Sequence, residues 1–163
     1  MITVFPFNKL GNHNYGWLYA HYHFSFANYY DSKRCGFPPL LVWNDDLIQP
    51  NTGFPMHSHK DMEIITYIRQ GAITHEDSLG NKGITRAGEI QIMSAGTGIT
   101  HSEYNHEDDE TLLFQIWIQP EKNNMKPRWE NVILHSNTKQ GLRMLASGQK
   151  EKIDDGIVTI FQD

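Results

Sequence analysis

Cysteine is almost absent from this chain, which has one, Cys35, among 163 residues. A single thiol excludes an intrachain disulfide and is typical of a protein in a reducing compartment. Long apolar runs are also missing. No stretch approaches the ~18 apolar residues that a membrane-spanning helix needs, and the N-terminus lacks the basic start and apolar core of a signal peptide. We therefore expect a cytoplasmic protein.

Positive charge is scarce and dispersed. The 14 Lys and Arg residues are outnumbered by 19 Asp and Glu residues, and the formal net charge is -5. Surfaces that bind nucleic acids or anionic membranes carry clustered Lys and Arg, so we expect neither partner. Glycine-rich phosphate loops and nucleophile elbows are also missing, which leaves nucleotide enzymes and serine hydrolases without support. A small-molecule partner is the remaining expectation.

Short apolar, β-branched segments separated by Gly, Asn and Pro fill the chain, as is typical of closed or sandwiched antiparallel sheets. With 39% hydrophobic and 12% aromatic residues, the chain can bury one core, so we expect one domain. The predicted strands are 40–43, 63–68, 72–76, 83–86, 89–93, 101–104, 111–118, 132–134, 142–146 and 157–161.

Three local patterns refine this prediction. Residues 78–83 predict a hairpin turn, because Gly and Asn tolerate positive φ. In 111–118, an apolar stripe predicted to face the barrel interior comprises Leu112, Phe114, Ile116 and Ile118. Residues 121–128 are polar and contain Pro127, so they predict a loop after the main barrel, and 129–163 then form outer strands or a tail.

Two dyads point to a metal site. His57-Ser58-His59 and His101-Ser102-Glu103 each place two metal-competent side chains two residues apart, and on a β-strand such pairs face the same way. If both strands line one barrel, three imidazoles and a carboxylate converge. This donor set suits Fe(II), Ni, Co, Cu, Zn or Mn, and four protein ligands leave open positions for substrate. In an unbroken strand Glu63 would share the face of His57 and His59. The alternation of side chains along a strand therefore permits either Glu63 or Glu103 as the carboxylate ligand.

The spacing around the dyads resembles the two motifs of the cupin superfamily. Gly53, Glu63 and Gly71 accompany the first dyad, and Gly88, Gly96 and Asn105 accompany the second. Ser94 in place of the usual proline, and two extra residues before His101, resemble one cupin branch, the pirins. The similarity runs through 23–31, 57–63, 71–78 and 92–103, covers nearly everything from Asn14 to about Glu130, and is strongest to bacterial pirin-like quercetin 2,3-dioxygenases.

The resemblance implies an all-β fold, a cupin-type antiparallel double-stranded β-helix or jelly-roll barrel. Residues 1–128 would form the N-terminal barrel with the metal site. Pirins typically stack two barrels, and this chain shows no second block of barrel strands. Exposed strand edges near the C-terminus make a homodimer an expectation.

The resemblance also implies a metal site and an activity. The matching ligands are His57, His59, His101 and Glu103, and the usual metal is iron, so we expect Fe(II). The implied reaction cleaves a flavonol such as quercetin with dioxygen and releases carbon monoxide after the 3-hydroxyl loses its proton, with Glu103 as the base. Glu63 would then be a hydrogen-bonding neighbour of the ligands or a plain polar interior residue.

Other residues have expected roles as well. The candidates for lining an aromatic substrate's pocket, all of which core packing would also explain, are His23, Phe24, Phe26, Met93 and Phe114. His21 is expected to contact no metal, and the histidines expected on the surface or in loops are His75, His106 and His135. Two other functions stay open: a metal-containing regulatory binding protein of the pirin type, and a cupin that keeps its metal without a function of its own.

Overall fold

The computed structural model of the protein describes residues 3–133, 144–148 and the backbone of 158–159. Within these residues, a short 3-10 helix, Phe7–Lys9, is followed by thirteen strands. They are β1 (Gly11–Asn14), β2 (Leu18–Tyr22), β3 (Leu40–Ile48), β4 (Thr52–His59), β5 (Glu63–Gln70), β6 (Ala72–Asp77), β7 (Lys82–Arg86), β8 (Glu89–Ser94), β9 (Ile99–Asn105), β10 (Thr111–Ile118), β11 (Arg128–Ile133), β12 (Ala146–Ser147) and β13 (Val158–Thr159). In the described part of the chain, no helix has the length and apolar character needed to cross a membrane.

Two antiparallel sheets form the barrel. The larger has the order β1-β2-β3-β10-β5-β8-β11 and the smaller β4-β9-β6-β7, while β12 and β13 pair in parallel. Consecutive strands often belong to different sheets, as in β3, β4 and β5, so the chain repeatedly crosses between the two layers. The predicted all-β jelly-roll fold is confirmed.

A polar layer divides the interior between the sheets. Along the inward face of β5, Ile64 belongs to one apolar cluster and Ile68 to another, and Thr66 lies between them. β10 repeats this order, with Gln115 between Leu113 and Trp117, so buried polar side chains meet in the middle of the barrel. Each fully buried aliphatic side chain of the two clusters contributes ~1.5–3 kcal/mol, and these clusters stabilise the fold around the polar layer.

The apolar stripe on β10 lies on the outer face, so the prediction of an interior stripe was wrong. The buried residues of β10 alternate with the stripe and include Leu113 and Gln115. Ile116 and Ile118 instead join an outer cluster, in which Leu145 and Ala146 cover the face of the large sheet. The prediction failed because the inner face of β10 carries polar residues of the site, whereas Leu145 and Ala146 bury part of its outer face.

The strand predictions succeeded where the sequence is apolar. β1, β2 and β4 were not among the predicted strands, and β3 extends beyond residue 43 to Ile48 through polar residues. The turn at 78–83 is confirmed between β6 and β7, and the predicted loop at 121–128 is confirmed up to residue 127. Arg128 begins β11, which pairs with β8 at the edge of the large sheet. β12 and β13 overlap the last two predicted strands, 142–146 and 157–161. Residues 144 and 145 precede β12 without belonging to it, and 142–143, 157 and 160–161, with Leu134 and His135, lie outside the described residues.

Candidate metal centre

A bulge in β4 aims the first dyad into the barrel. β4 is an edge strand of the smaller sheet and pairs with β9, Phe54 opposite Glu103 and His57 opposite His101. One extra residue between these pairs lets Phe54, His57 and His59 share the inward face. Pro55 supplies no ladder hydrogen bond and is tolerated there because the strand is an edge strand with a bulge.

Three imidazoles converge inside the barrel. One ring nitrogen from each of His57, His59 and His101 lies within 4.8 Å of the others. The ring centroids are 4.5 Å apart for His57 and His101, 4.8 Å for His57 and His59, and 5.0 Å for His59 and His101. Nε2 of His101 is buried and has no hydrogen-bond partner among the described residues. Such an orphaned nitrogen beside two other imidazoles fits a divalent first-row metal ion.

The environment keeps two of these imidazoles, those of His59 and His101, neutral. Burial, and then the charge of His57, lower the pKa of His59 to about 4. Burial, followed by the charges of His57, His59 and His75, lowers the pKa of His101 to about 2. Metal ligation requires the neutral imidazole, so at neutral pH the lone pairs of His59 and His101 are available.

Contacts on the far side of the rings fix their orientation. Nδ1 of His57 lies 2.7 Å from the carbonyl oxygen of Pro55. Because a carbonyl only accepts, His57 donates its Nδ1 proton there and its Nε2 is left free. Nδ1 of His101 lies 3.4 Å from Nδ1 of His75. The ring of His59 packs edge-on against Trp117, with centroids 4.9 Å apart.

Glu103 lies beside the imidazoles in a cage of donors. Its Oε1 accepts hydrogen bonds from Gln91 Nε2 and, at 3.1 Å, from Thr66 Oγ1, and its Oε2 accepts from Gln115 Nε2 at 2.8 Å. The close group of metal-competent side chains in the described residues comprises the three histidines and does not include this carboxylate. Burial raises the pKa of Glu103, and its electrostatic interaction with His75 and the hydrogen bonds from Thr66 and Gln115 act against that rise.

Two tryptophans orient the glutamine amides. Trp117 Nε1 donates to Gln115 Oε1 and Trp129 Nε1 donates to Gln91 Oε1, each at 3.2 Å. Because each amide oxygen receives an indole N–H, each amide nitrogen turns towards Glu103. The two tryptophans therefore hold both glutamines as donors to the carboxylate.

An aromatic cavity of about 270 Å³ adjoins the imidazoles. Its walls are formed by Tyr15, Trp17, Leu18, Ala20, Tyr22, Phe26, Ala27, Asn44, Asp46, Phe54, His57, His59, Glu103, Gln115 and Trp117. Asp46 is a buried carboxyl in this wall, and burial, followed by the charges of Asp45 and Glu103, raises its pKa to about 8. Concave, mostly apolar walls with a few polar groups are typical of small-molecule sites.

The family assignment follows from sequence comparison. The family model for pirin matches residues 5–118. This chain belongs to the pirin family. It is 54% identical over 155 residues to the pirin-like protein of Caulobacter vibrioides, covering 94% of this chain and 67% of that one. It is 48% identical over 164 residues to the quercetin 2,3-dioxygenase of Escherichia coli K12, covering 100% of this chain and 69% of that one.

Solved structures agree with this assignment. YhhW from Escherichia coli matches with a TM-score of 0.90 and 47% identity, covering 97% of this chain and 66% of that chain. A second structure, of the bacterial pirin YhhW in complex with nickel(II), matches with a TM-score of 0.88 and 47% identity, covering 96% and 66%. This pirin chain thus spans about two thirds of the length of these relatives.

Some predicted pocket residues lie elsewhere in this pirin fold. Phe26 lines the cavity, but the four other candidates do not. Met93 packs in the apolar core, and Phe114 packs on Trp43 outside the barrel. His23 also lies near Trp43, with ring centroids 6.1 Å apart. Phe24 lies near a surface arginine, Arg34.

Glu63 lies away from the imidazoles. β4 ends at His59 and β5 begins at Glu63 in the other sheet, so the assumption of an unbroken strand fails. The carboxylate of Glu63 is buried and accepts a hydrogen bond from Ser94 Oγ at 2.7 Å. Alternation along β5 places it on the opposite face from Thr66, which contacts Glu103.

Sequence reasoning missed His75, which was predicted to be exposed or in a loop. Its side chain is fully buried in β6 and stacks on Trp129, with centroids 4.8 Å apart. Its parity with Ile73 in a predicted strand would have placed it inside the barrel. His106 is exposed, as predicted, and His21 lies against Phe7 rather than near the metal-competent group.

Proposed function

We propose that this pirin holds one divalent metal ion through His57, His59 and His101, with Glu103 as a further ligand. In this proposal the protein is a dioxygenase that cleaves flavonols such as quercetin. The observation that carries the proposal is the convergence of three imidazoles, one with a buried unpartnered nitrogen, at the wall of an aromatic cavity.

The histidine group and the nickel(II) complex of YhhW both support metal binding. Imidazole nitrogens and one carboxylate also accept Fe(II), Co, Cu, Zn and Mn, and the family resemblance favours Fe(II). A bound divalent ion supplies a positive centre that favours the ionised form of an enol or phenol hydroxyl, and a redox-active ion promotes electron transfer to dioxygen.

The cavity walls suit a flat aromatic substrate. Trp17 and Phe54 meet edge to face, with centroids 5.0 Å apart, and Trp117 lies beside His59. These rings offer apolar surface on which a flavonol can stack.

In this proposal Glu103 accepts the proton of the substrate's hydroxyl. Its Oε1 accepts two hydrogen bonds and its Oε2 accepts one, so Oε2 has the greater spare capacity. Gln115 and Gln91 hold the carboxylate in place while it takes the proton.

The test is quercetin consumption in air by iron-loaded protein, followed by absorbance and by carbon monoxide release. We expect turnover in the native protein, its loss in His101→Ala, and its retention in His106→Ala, which changes an exposed histidine. Full iron occupancy without consumption of quercetin would contradict the dioxygenase proposal and favour a regulatory binding protein.

A second measurement tests the carboxylate ligand. Glu103→Gln should lower metal occupancy much more than Glu63→Gln, because only Glu103 lines the cavity with His57 and His59. Equal or reversed losses would refute the assignment of Glu103.

A further inference from the structure

His75 links a buried carboxylate to the candidate metal ligand His101. Its Nε2 lies 3.0 Å from Oδ2 of Asp77, and its Nδ1 lies 3.4 Å from Nδ1 of His101. The side chains of His75 and Asp77 are both 0% exposed. The three residues thus form a continuous chain from the end of β6 to the middle of β9.

The donors around Asp77 fix the direction of the hydrogen bonds. Besides His75, its carboxylate accepts from the backbone N–H of Leu79 at 2.9 Å and of Asn81 at 3.0 Å, and from Asn81 Nδ2 at 2.9 Å. A carboxylate that faces this many donors acts as an acceptor. Nε2 of His75 therefore carries a proton and donates a hydrogen bond to Asp77. In the neutral ring, Nδ1 of His75 then has no proton and accepts a hydrogen bond from the Nδ1–H group of His101.

We propose that Asp77 and His75 are positioning residues that hold His101 in the tautomer whose Nε2 lone pair is free for a metal ion. The proposal rests on the metal site described above. In this tautomer Nε2 of His101 carries a free lone pair and can act as a ligand atom. The structure agrees, because this nitrogen is buried and has no hydrogen-bond partner among the described residues.

The same arrangement recurs at His57, where the acceptor is the carbonyl oxygen of Pro55. Two of the three imidazoles therefore have their Nδ1 side occupied by protein groups, which leaves Nε2 as the nitrogen available to a metal ion. Partners of this kind fix the ring and its tautomer, and their removal typically lowers metal affinity ~10–100-fold.

Three substitutions of His75 separate its two contacts. In His75→Asn, the amide oxygen takes the place of Nδ1 and can accept from His101, but the side chain is too short to reach Asp77. In His75→Gln, the amide nitrogen takes the place of Nε2 and can donate to Asp77, but no acceptor faces His101. His75→Phe removes both contacts and keeps a ring to stack on Trp129.

The first readout is the affinity for Ni(II) alone, measured by chelator competition. We expect His75→Phe and His75→Gln to lose ~10–100-fold, and His75→Asn to stay within ~3-fold of the native protein. Ile73→Val, a conservative change in the buried core on the same strand and face, is the matched control for general destabilisation and should leave Ni(II) affinity unchanged. Equal affinity in all variants, or an Asn variant as weak as the Phe variant, would overturn the proposal.

The second readout is the tautomer of His101 in metal-free protein, from its ring ¹⁵N chemical shifts. The native protein should show the proton on Nδ1, and His75→Phe should show a mixture of tautomers. A proton on Nε2 in the native protein would overturn the proposal even if no variant folds. Failure of the native protein to bind Ni(II), Fe(II) or other divalent ions would instead count against the metal site itself, and the chemical shifts would still decide the tautomer.

Discussion

Removing the carboxyl of Asp46 should change how stability depends on pH. Asp46 is 1% exposed in the cavity wall, and its Oδ1 has no hydrogen-bond partner among the described residues. Burial first, and then the charges of Asp45 and Glu103, raise its pKa from the ordinary 3.8 to about 8. The folded protein therefore holds a proton at this site between these two pH values, where the unfolded chain has released it.

The size of the effect follows from this difference. Because the folded state binds the extra proton, the stabilisation is fully present below pH ~4 and is lost as pH rises through ~8. The slope is at most ~1.4 kcal/mol per pH unit and flattens near pH 8, so from pH 5 to pH 8 the native protein should lose ~4 kcal/mol through this group.

The assay is urea unfolding of metal-free native protein and of Asp46→Asn at several pH values from 5 to 8. Asn cannot titrate, so the free energy of unfolding of the variant minus that of the native protein should rise steadily with pH. Titration of distant groups cancels in this difference. A difference that does not vary with pH would refute a neutral Asp46 in the folded state.

Three further substitutions test the walls of the site. Gly53→Ala should cost ~1–3 kcal/mol in urea unfolding and weaken Ni(II) binding, because the new Cβ would lie 2.3 Å from the carbonyl oxygen of Glu103; native stability would contradict this close approach. Phe54→Ala should lower quercetin affinity on the order of tenfold in a fluorescence titration and spare Ni(II) affinity, and parallel losses of both would count against its role in the cavity wall. Trp117→Phe should lower the free energy of unfolding in urea by ~1–3 kcal/mol, because it leaves the buried amide oxygen of Gln115 without its donor. A change near zero would show that this hydrogen bond does not contribute to stability.

The metal-competent histidines were predictable from sequence because their dyads depend only on the period of a strand. His57, His59 and His101 were predicted from parity, from the assumption that both dyads lie on neighbouring strands and from spacing that resembles the pirins, although β4 itself was not among the predicted strands. The structure brings the three histidines together. The bulge before His57 was not predictable, since it depends on how β4 meets β9. It is this bulge that adds Phe54 to the inward face.

The surroundings of the site depend on tertiary packing and were harder to predict. Gln91 and Gln115 were not among the predicted site residues, yet they turn inward to hold Glu103. The β10 stripe was assigned to the wrong face for the same reason, because polar residues occupy the interior and residues near Leu145 bury the outer face. A hydrophobic pattern indicates which side chains are buried, but the tertiary structure determines which residues bury them.

The most direct test of the proposed metal site is anomalous X-ray diffraction at the iron edge from crystals loaded with Fe(II). We expect one anomalous peak enclosed by the ring nitrogens of His57, His59 and His101, beside the aromatic cavity. No peak there, or a peak on other residues, would contradict it.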